Sequence, residues 1–223
     1  MSQTDTLRDI LNARYSCRAY HPDPVPAEVI AEVVREAGRA PSWCNAQPWQ
    51  VVVTQGAQTE NFRAALLAEV DRAKPGADMP WPEGYPGVYG ERRRTCGFQL
   101  YEAVGIARED RAARAEQSMQ NYRLFGAPHV AIVHAEAALG PYGAMDTGGF
   151  VTAFLLAATA RGIGTIAQAS VAAYPDLIRA HFGLPDTRNI LCAISFGYPD
   201  PDHPANQFRT ERAALDDILD LRG

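Results

Sequence analysis

The stretch Arg14-Tyr15-Ser16-Cys17-Arg18, near the amino end, is the feature around which the rest of the chain can be read. In an extended backbone successive side chains alternate, so Arg14, Ser16 and Arg18 point to one side. Two guanidinium groups and one hydroxyl then converge on a single spot. This set suits a phosphate better than a lone carboxylate. For this stretch alone, a solvated basic loop is the alternative interpretation.

A second unusual stretch runs from Ala40 to Trp49 and leads directly into the apolar Val51-Val52-Val53. It is a polar loop that contains two prolines and two tryptophans and precedes a strand of buried character. Packing alone does not call for such a loop. Together the two stretches favour a binding site over a basic surface loop.

Composition limits the class of protein. The 223 residues are 47% apolar and 21% charged, which is typical of one substantial globular domain. A net charge of -5 argues against a nucleic-acid binder. The four cysteines (17, 44, 96 and 192) form no C-x-x-C pair, which indicates free thiols. There is no signal-peptide core in residues 1–14, and the apolar run 150–160 is too short to span a membrane. We therefore expect a soluble, cytoplasmic protein.

Hydrophobic periodicity and capping signals predict an α+β fold, with helices around a small sheet. The predicted strands are 50–54, 128–135 and 190–197, and residues 164–169 are predicted to be a strand or an extended loop. The predicted helices are 4–13, 26–39, 61–73, 91–106, 112–125, a helix capped by Asp146 or Thr147 and ending near Arg161, and one between Tyr174 and Gly183. The helix over 147–161 is apolar nearly all round, which indicates cover on both sides and a subunit interface. The Pro-rich segment 75–89 is interpreted as an ordered excursion over a site.

Several catalytic motifs are absent from the sequence. It contains no P-loop, no H-E-x-x-H zinc motif and no G-x-S-x-G elbow. Gly162-Ile163-Gly164 follows a predicted helix, whereas a dinucleotide fingerprint follows a strand. What remains is a phosphate site without a nucleotide motif, which suits a cofactor held by several separate segments.

Four motifs in order resemble one known family. They are Arg14-x-Ser16-x-Arg18, Ala40-Pro41-Ser42 with Asn45 and Gln47-Pro48-Trp49, Gly162-x-Gly164-Thr165, and Asn206-x-x-Arg209-x-x-Arg212. This pattern resembles the FMN-dependent nitroreductase family, and most of all its nitrobenzoate and nitroaromatic reductase branch. The resemblance implies a three-layer α/β/α sandwich with a small, mostly antiparallel sheet, in an intertwined homodimer with active sites at the interface. It also implies one FMN-binding domain over 1–223, with an excursion at about 75–125 that covers the active site.

The resemblance assigns roles by position. Arg14 and Ser16 would hold the FMN phosphate and ribityl end, and Arg18 would lie near flavin N1. Pro41, Ser42 and Trp43 would come from the partner subunit to pack on the ring. The full expected FMN set is Arg14, Tyr15, Ser16, Arg18, Pro41, Ser42, Trp43, Asn45, Asn121, Gln168, Ala169, Ser170, Arg209 and Arg212. The expected substrate slot is Trp81, Tyr85, Tyr122 and Phe125.

The function implied by the resemblance is reduction of a small nitroaromatic substrate to the hydroxylamine. NADPH or NADH would donate electrons to bound FMN in a ping-pong cycle of two-electron steps. The chemistry would take place at flavin N5, so no protein residue is expected to act as a catalyst and no metal is expected. Two alternatives stay open. The same fold could reduce a quinone, a flavin or a halogenated aromatic, or the protein could be a flavin-binding sensor.

Overall fold

Strand β2 (His129–Glu136) is the centre of the fold, because nearly all of its residues are buried. It pairs antiparallel with β1 (Trp49–Val53) on one side and with β4 (Arg188–Gly197) on the other. Strand β3 (Gly164–Gln168) pairs antiparallel with the outer side of β4, so the order is β1-β2-β4-β3. This computed structural model describes residues 2–223.

Helices pack on both sides of this sheet. Within residues 2–223 they are α1 (Gln3–Ala13), α2 (Ala27–Ala37), α3 (Ala57–Arg72), α4 (Gly87–Ala103), α5 (Arg111–Met119), α6 (Gly140–Thr159) and α7 (Pro175–Phe182). None of the helices in that range is long and apolar enough to cross a bilayer.

The alternation of side chains along β2 divides the core into two parts. Ala131 and Val133 face a cluster formed with α2 and α6, whose large members include Phe154. Ile132 faces the opposite way, into a second cluster that contains Phe62 of α3 and residues around α7. The sheet therefore lies between two layers of helices, and the predicted α+β class with three layers is confirmed.

The start of α6 differs from the prediction. The helix was expected to begin at Asp146 or Thr147, but it begins at Gly140, with Pro141 in its first turn. Thr147 is 1% exposed, and its hydroxyl donates to the carbonyl oxygen of Gly143 at 2.7 Å. A threonine can satisfy its hydroxyl on the preceding turn inside a helix as well as at its end. A capping residue by itself therefore does not locate the end of a helix.

The end of α5 also differs from the prediction. The pattern predicts helix from 112 to 125, but α5 ends at Met119. Leu124 and Phe125 have φ of +55° and +52°, in the left-handed region where a helix cannot continue. Leu124 is completely buried and Phe125 is 7% exposed. Burial of both side chains at this turn outweighs their helical propensity.

His129 connects the sheet to the segment before α2. Its ring is fully buried, its Nε2 accepts the N–H of Val25 at 2.8 Å, and its Nδ1 lies 3.0 Å from the carbonyl oxygen of Thr54. Both contacts are made when the proton is on Nδ1. Burial lowers the pKa of His129 below its usual value of 6.5, so the folded protein holds this ring neutral.

We predict that acid weakens the fold below pH 6.5 through this histidine. Below that pH the unfolded chain takes up a proton that the folded ring resists, which costs up to about 1.4 kcal/mol per pH unit. Above it both states are neutral and the full stability is present. Urea unfolding at about pH 7.5 and about pH 5.5 measures the difference. His129→Gln should reduce it and the exposed His21→Ala should not; an unchanged pH dependence in His129→Gln would contradict the assignment.

Candidate functional site

The N-terminal arginine stretch lies along the outer edge of β3. Ser16 forms a parallel bridge with Thr165, and the N–H of Cys17 donates to the carbonyl oxygen of Thr165 at 3.0 Å. Cys17 is fully buried, and a Cβ on Gly164 would come within 2.8 Å of its sulfur, so glycine is required there. Since side chains alternate, Ser16 and Arg18 are turned away from Cys17, to the other side of the stretch.

Asn206 attaches the C-terminal tail to this stretch. Its side chain is 3% exposed, and its Oδ1 accepts the backbone N–H of Arg18 at 2.8 Å. Its Nδ2 donates to the carbonyl oxygens of Ala19 at 2.9 Å and Asp200 at 2.7 Å. One amide thus satisfies three backbone groups, two of them in the N-terminal stretch. The tail residues that follow are thereby brought next to Arg14 and Ser16.

A cavity of about 220 Å³ lies between the two ends of the chain. Its polar lining includes Arg14, Ser16, Arg18, Arg209 and Arg212. None of these four arginines forms a salt bridge with a carboxylate of residues 2–223. The hydrogen bonds that Arg18, Arg209 and Arg212 donate go to backbone carbonyls and to the hydroxyl of Thr210. Burial, and then the positive charge of Arg212, lower the pKa of Arg14. Such uncompensated positive charge favours a negatively charged ligand in this cavity.

Aromatic rings orient two of the guanidinium groups. The guanidinium carbon of Arg209 lies 3.8 Å from the centre of the Tyr15 ring, and that of Arg18 lies 5.7 Å from the centre of Phe208. Burial is the largest of the effects that raise the pKa of Tyr15 to about 12, so the ring stays neutral. These contacts hold the cations in place without neutralising their charge.

A second polar cluster lies at the far end of β3. The Nε2 of Gln168 donates to the carbonyl oxygen of Asn121 at 2.7 Å, and the hydroxyl of Ser195 donates to Gln168 Oε1 at 2.5 Å. Ala169 is exposed beside them. The hydroxyl of Ser170 is buried and has no hydrogen-bond partner within the described chain. An orphaned buried hydroxyl next to an exposed backbone marks a place where a ligand group would fit.

Arg63 holds the turn that follows Asn121. Its Nε donates to the carbonyl oxygen of Arg123 at 3.0 Å and its Nη2 to that of Ala127 at 2.6 Å. The turn carries Phe125 into the interior, where 7% of it is exposed. Phe125 was expected to line the substrate slot, and in this chain it presents almost no surface to a ligand.

The loop with Pro41, Ser42, Trp43 and Asn45 lies apart from the arginine cavity. The N–H of Trp43 donates to Asp146 Oδ2 at 3.0 Å, and the Trp43 ring, 60% exposed, meets a tyrosine of α6 edge-on at 4.4 Å. Asn45 has φ of +55°, an uncommon value for a residue other than glycine. These residues were expected to act on a partner's flavin, so their place outside this chain's cavity leaves that expectation open.

The Pro-rich excursion is fixed at its start by Asp78. Its Oδ2 accepts from Arg179 Nη1 and from the N–H of Ile190, both at 2.8 Å, and the two charged side chains are mostly buried. Trp81 and Tyr85, further along, are 47% and 50% exposed and do not line the arginine cavity. The remaining slot residue, Tyr122, is half-buried and packs edge-on against Tyr174 at 5.8 Å. The four expected slot residues are therefore not gathered around one cavity in the single chain.

Some residues of the site have roles that the sequence pattern does not indicate. Asn206 belongs to the Asn206-x-x-Arg209-x-x-Arg212 motif, but the motif does not indicate that its amide forms hydrogen bonds with three backbone groups. Cys96 lines the arginine cavity from α4, and Arg63 fixes the turn after Asn121. Neither has a local sequence signal, because each acts on residues distant in the chain.

We predict that Asn206→Ala lowers the free energy of unfolding by about 2–4 kcal/mol, because it leaves three half-buried backbone groups unpaired. Urea denaturation measures the change. Gln58→Ala, an exposed residue of α3, is the control and should alter stability by less than about 0.5 kcal/mol. Equal stability of the two variants would show that the amide does not hold the tail.

Comparison with known proteins places this arrangement in a family. The model for the "Nitroreductase family" matches residues 11–198. NfnB, a nitroreductase of Mycolicibacterium smegmatis, is 38% identical over 207 residues, covering 92% of this chain and 88% of that protein. A 4-nitrobenzoate reductase of Pseudomonas putida is 33% identical over 211 residues, covering 94% and 92% of the two chains.

Solved structures agree with the sequence matches. The FMN-dependent nitroreductase NfnB of Mycobacterium smegmatis, in complex with NADPH, superimposes with a TM-score of 0.95 at 35% identity, covering both chains completely. The FMN and NADPH-dependent nitroreductase NfnB of a Sphingopyxis strain gives a TM-score of 0.92 at 32% identity, covering 97% and 98% of the two chains. With matches of this extent in sequence and structure, the chain belongs to the nitroreductase family.

Proposed function

We propose that this protein is an FMN-dependent oxidoreductase that uses NAD(P)H to reduce nitroaromatic compounds to hydroxylamines. The observation that carries the proposal is the group of four guanidiniums and one serine hydroxyl around a single cavity with no salt-bridged carboxylate. The names of the relatives add the chemistry: one is a 4-nitrobenzoate reductase, and another is FMN and NADPH-dependent.

The residues present fit FMN, which has a phosphate at one end and a ring with a polar edge at the other. The arginine cavity supplies donors for a phosphate dianion. The cluster with the orphaned Ser170 hydroxyl supplies donors for a ring edge. Ser16 pairs with Thr165, and Gln168 ends the same strand three residues later, about 10 Å away. Two unsatisfied polar sites at this spacing support one elongated ligand lying along β3.

In this proposal each part of the site has a distinct task. Arg14, Ser16, Arg209 and Arg212, with Tyr15 beneath Arg209, hold the phosphate end. Arg18 lies towards the ring and keeps its proton at neutral pH, as arginines do. Asn121, Gln168, Ala169 and Ser170 hold the edge of the ring. The domain is the whole chain, 1–223, with the excursion at about 75–125 over the active site.

The chemistry that FMN supplies when bound is reversible two-electron transfer of the hydride type. The chain contributes placement and electrostatics. With FMN bound in this way, the positive charge of Arg18 would stabilise negative charge on the pyrimidine side of the ring. The guanidinium of Arg18 also donates to the carbonyl oxygen of Ser16 at 3.1 Å, which fixes its direction. No side chain of this site is needed as a nucleophile or general base. Reduction of a nitro group to a hydroxylamine consumes two NAD(P)H and two protons and releases one water.

We propose that the protein acts as a homodimer in the cytoplasm. On α6, Tyr142 and Met145 are 54% and 63% exposed, and on α1, Leu7 and Leu11 are 54% and 50% exposed. Large apolar side chains at helical spacing on a surface favour contact with another protein. A second copy would also give the loop around Trp43 a flavin to pack on. The free state of all four cysteines supports a reducing compartment.

The alternatives in the same fold are less well supported. A dehalogenase acting on a zwitterionic substrate would need a set of free charges on the excursion. Asp78 is already bound by Arg179 and by the N–H of Ile190, which leaves only the exposed Glu83 of its two carboxylates. Quinone or flavin reduction would use the same cofactor site. A flavin-binding sensor would bind FMN but would not turn over.

The test is the visible spectrum of the purified protein. We expect bound FMN, bleaching by NADPH without oxygen, and recovery of the colour on addition of 4-nitrobenzoate, with the hydroxylamine as product. A sensor would show no catalytic recovery. A colourless protein that FMN cannot reconstitute would contradict the proposal.

The phosphate contact has a matched pair of variants. Arg212→Ala should weaken FMN binding by about 10- to 100-fold, the loss of one charge-assisted contact. Arg222→Ala, which removes a tail arginine paired with Asp220, should leave it unchanged. Fluorescence titration of the apoprotein with FMN measures both. Equal affinities would remove Arg212 from the site.

The dimer has its own test. Met145→Asp should shift the mass measured by light scattering from about twice 24.3 kDa towards that of one chain, because a charge then lies in an apolar contact. Ala64→Asp, on the exposed side of α3, is the control. A monomeric wild-type protein with full FMN content would show that the site is complete in one chain.

A further inference from the structure

The run Arg92-Arg93-Arg94 on α4 is not a uniform solvated face. Arg92 lies 3.7 Å from Asp217 of the tail and lines a separate cavity between α4 and the tail. Arg93 and Arg94 form no salt bridge with a carboxylate of residues 2–223. Both line another cavity, of about 370 Å³, on the other side of the helix. Two adjacent arginines without acidic partners leave positive charge available for a ligand.

This cavity, which we call the α4 groove, is an extension of the arginine cavity. Arg18 and Cys96 line both of them. The walls of the α4 groove are Phe98, Leu100 and Tyr101. Because Arg18 is the arginine that the proposed function puts towards the flavin ring, a ligand in the α4 groove would lie next to the site of electron transfer.

Two more guanidinium groups border the α4 groove through its aromatic walls. The guanidinium carbon of Arg108 lies 4.3 Å from the centre of the Phe98 ring, and that of Arg114 lies 6.0 Å from the centre of Tyr101. The Nε of Arg114 is buried and has no hydrogen-bond partner within the described chain. Neither residue is in a salt bridge with a carboxylate of residues 2–223. Arg93 and Arg94 therefore line the groove, and Arg108 and Arg114 add positive charge beside its aromatic walls.

The excursion packs against the α4 groove at the end where Arg93 lies. The guanidinium carbon of Arg93 lies 5.3 Å from the centre of the Tyr85 ring. A Cβ on Gly90 would come within 2.5 Å of the carbonyl oxygen of Tyr85, so the excursion packs closely on α4 at this point. The tyrosine thereby restricts one guanidinium of the groove before any ligand arrives.

The length of the groove decides between its possible ligands. From Arg93 to Tyr101 is eight residues of helix, or about 12 Å. A nitroaromatic acid is one ring with one carboxylate, and Arg18 alone could meet that charge. Four further guanidiniums, spread over about 12 Å, suit a ligand with several separated negative groups and flat rings. A nicotinamide dinucleotide with a 2′-phosphate fits this description, and its nicotinamide end must reach the flavin.

We propose that the α4 groove binds the 2′-phosphorylated adenosine half of NADPH, and that Arg93 and Arg94 make the enzyme select NADPH over NADH. This inference rests on the proposed function and names its electron donor. A phosphomonoester dianion gains more from two guanidiniums than the ribose hydroxyl that replaces it in NADH.

The kinetic test compares the FMN-loaded full chain with the double variant Arg93→Ala/Arg94→Ala and with Arg92→Ala as the matched control. We expect the double variant to lose about 10- to 100-fold in kcat/KM for NADPH. Its kcat/KM for NADH should change by less than about threefold, since NADH lacks the group that these arginines bind. Arg92→Ala should keep the wild-type preference. A wild-type enzyme that prefers NADH, or a double variant with an unchanged preference, would overturn the proposal.

A binding test without turnover separates the groove from the catalytic cycle. Calorimetry on the FMN-loaded protein should show tighter binding of adenosine 2′,5′-bisphosphate than of AMP, and the double variant should lose that difference. Equal binding of the two probes by the wild type would overturn the inference even if the enzyme is active. Discrimination lost in the double variant would support the groove even if no nitro compound is reduced.

A third test compares the activity of the double variant with two nitro compounds, one with a carboxylate and one without. If the double variant loses activity towards 4-nitrobenzoate relative to nitrobenzene and keeps its NADPH preference, the arginines bind the carboxylate of the acceptor and the proposal is wrong. A proportional loss with both acceptors, confined to NADPH, supports it.

Discussion

The three hydrogen bonds of Asn206 are the constraint on which the site depends. They join a tail without regular strand or helix to an N-terminal stretch that has only one bridge to the sheet. Burial of the amide makes these bonds costly to break, because the three backbone groups would otherwise be unpaired. This junction brings the polar residues of the cavity together, since Arg14 and Ser16 come from one end of the chain and Arg209 and Arg212 from the other.

The sheet also determines where the site lies. β3 lies at the edge, so its outer side is free to receive the arginine stretch, while the strands behind it are buried between two layers of helices. The edge strand thereby carries one polar cluster near Thr165 and another beyond Gln168. The packed core holds both clusters in fixed positions, and their unsatisfied donors lie at the edge of that core.

Patterns that act over a few residues could be predicted well. All four strands were located within two residues, and Gly183, predicted to close its helix, has the left-handed φ of +65° that a helix end favours. Predictions failed where distant contacts decide. Thr147 looks like a cap but satisfies its hydroxyl inside α6, and Phe125 continues a helical pattern but is drawn into the core. In the site, alternation predicted the convergence of Arg14, Ser16 and Arg18. Arg63 bonds the carbonyl of Arg123, and Asn206 bonds Arg18 and Ala19; these partners lie 60 or more residues away, and no local pattern indicates them.

The use of both ends of the chain in one cavity has a consequence for the order of events during synthesis. A chain emerges from the ribosome with its amino end first, and the sheet needs residues only up to Gly197. The sheet and its two helical layers can therefore collapse while the anion site is still missing half of its charges. The cavity is completed only when residues 206–212 have joined the N-terminal stretch. A chain that ends before Asn206 would therefore keep every strand of the sheet and lack both tail arginines of the cavity.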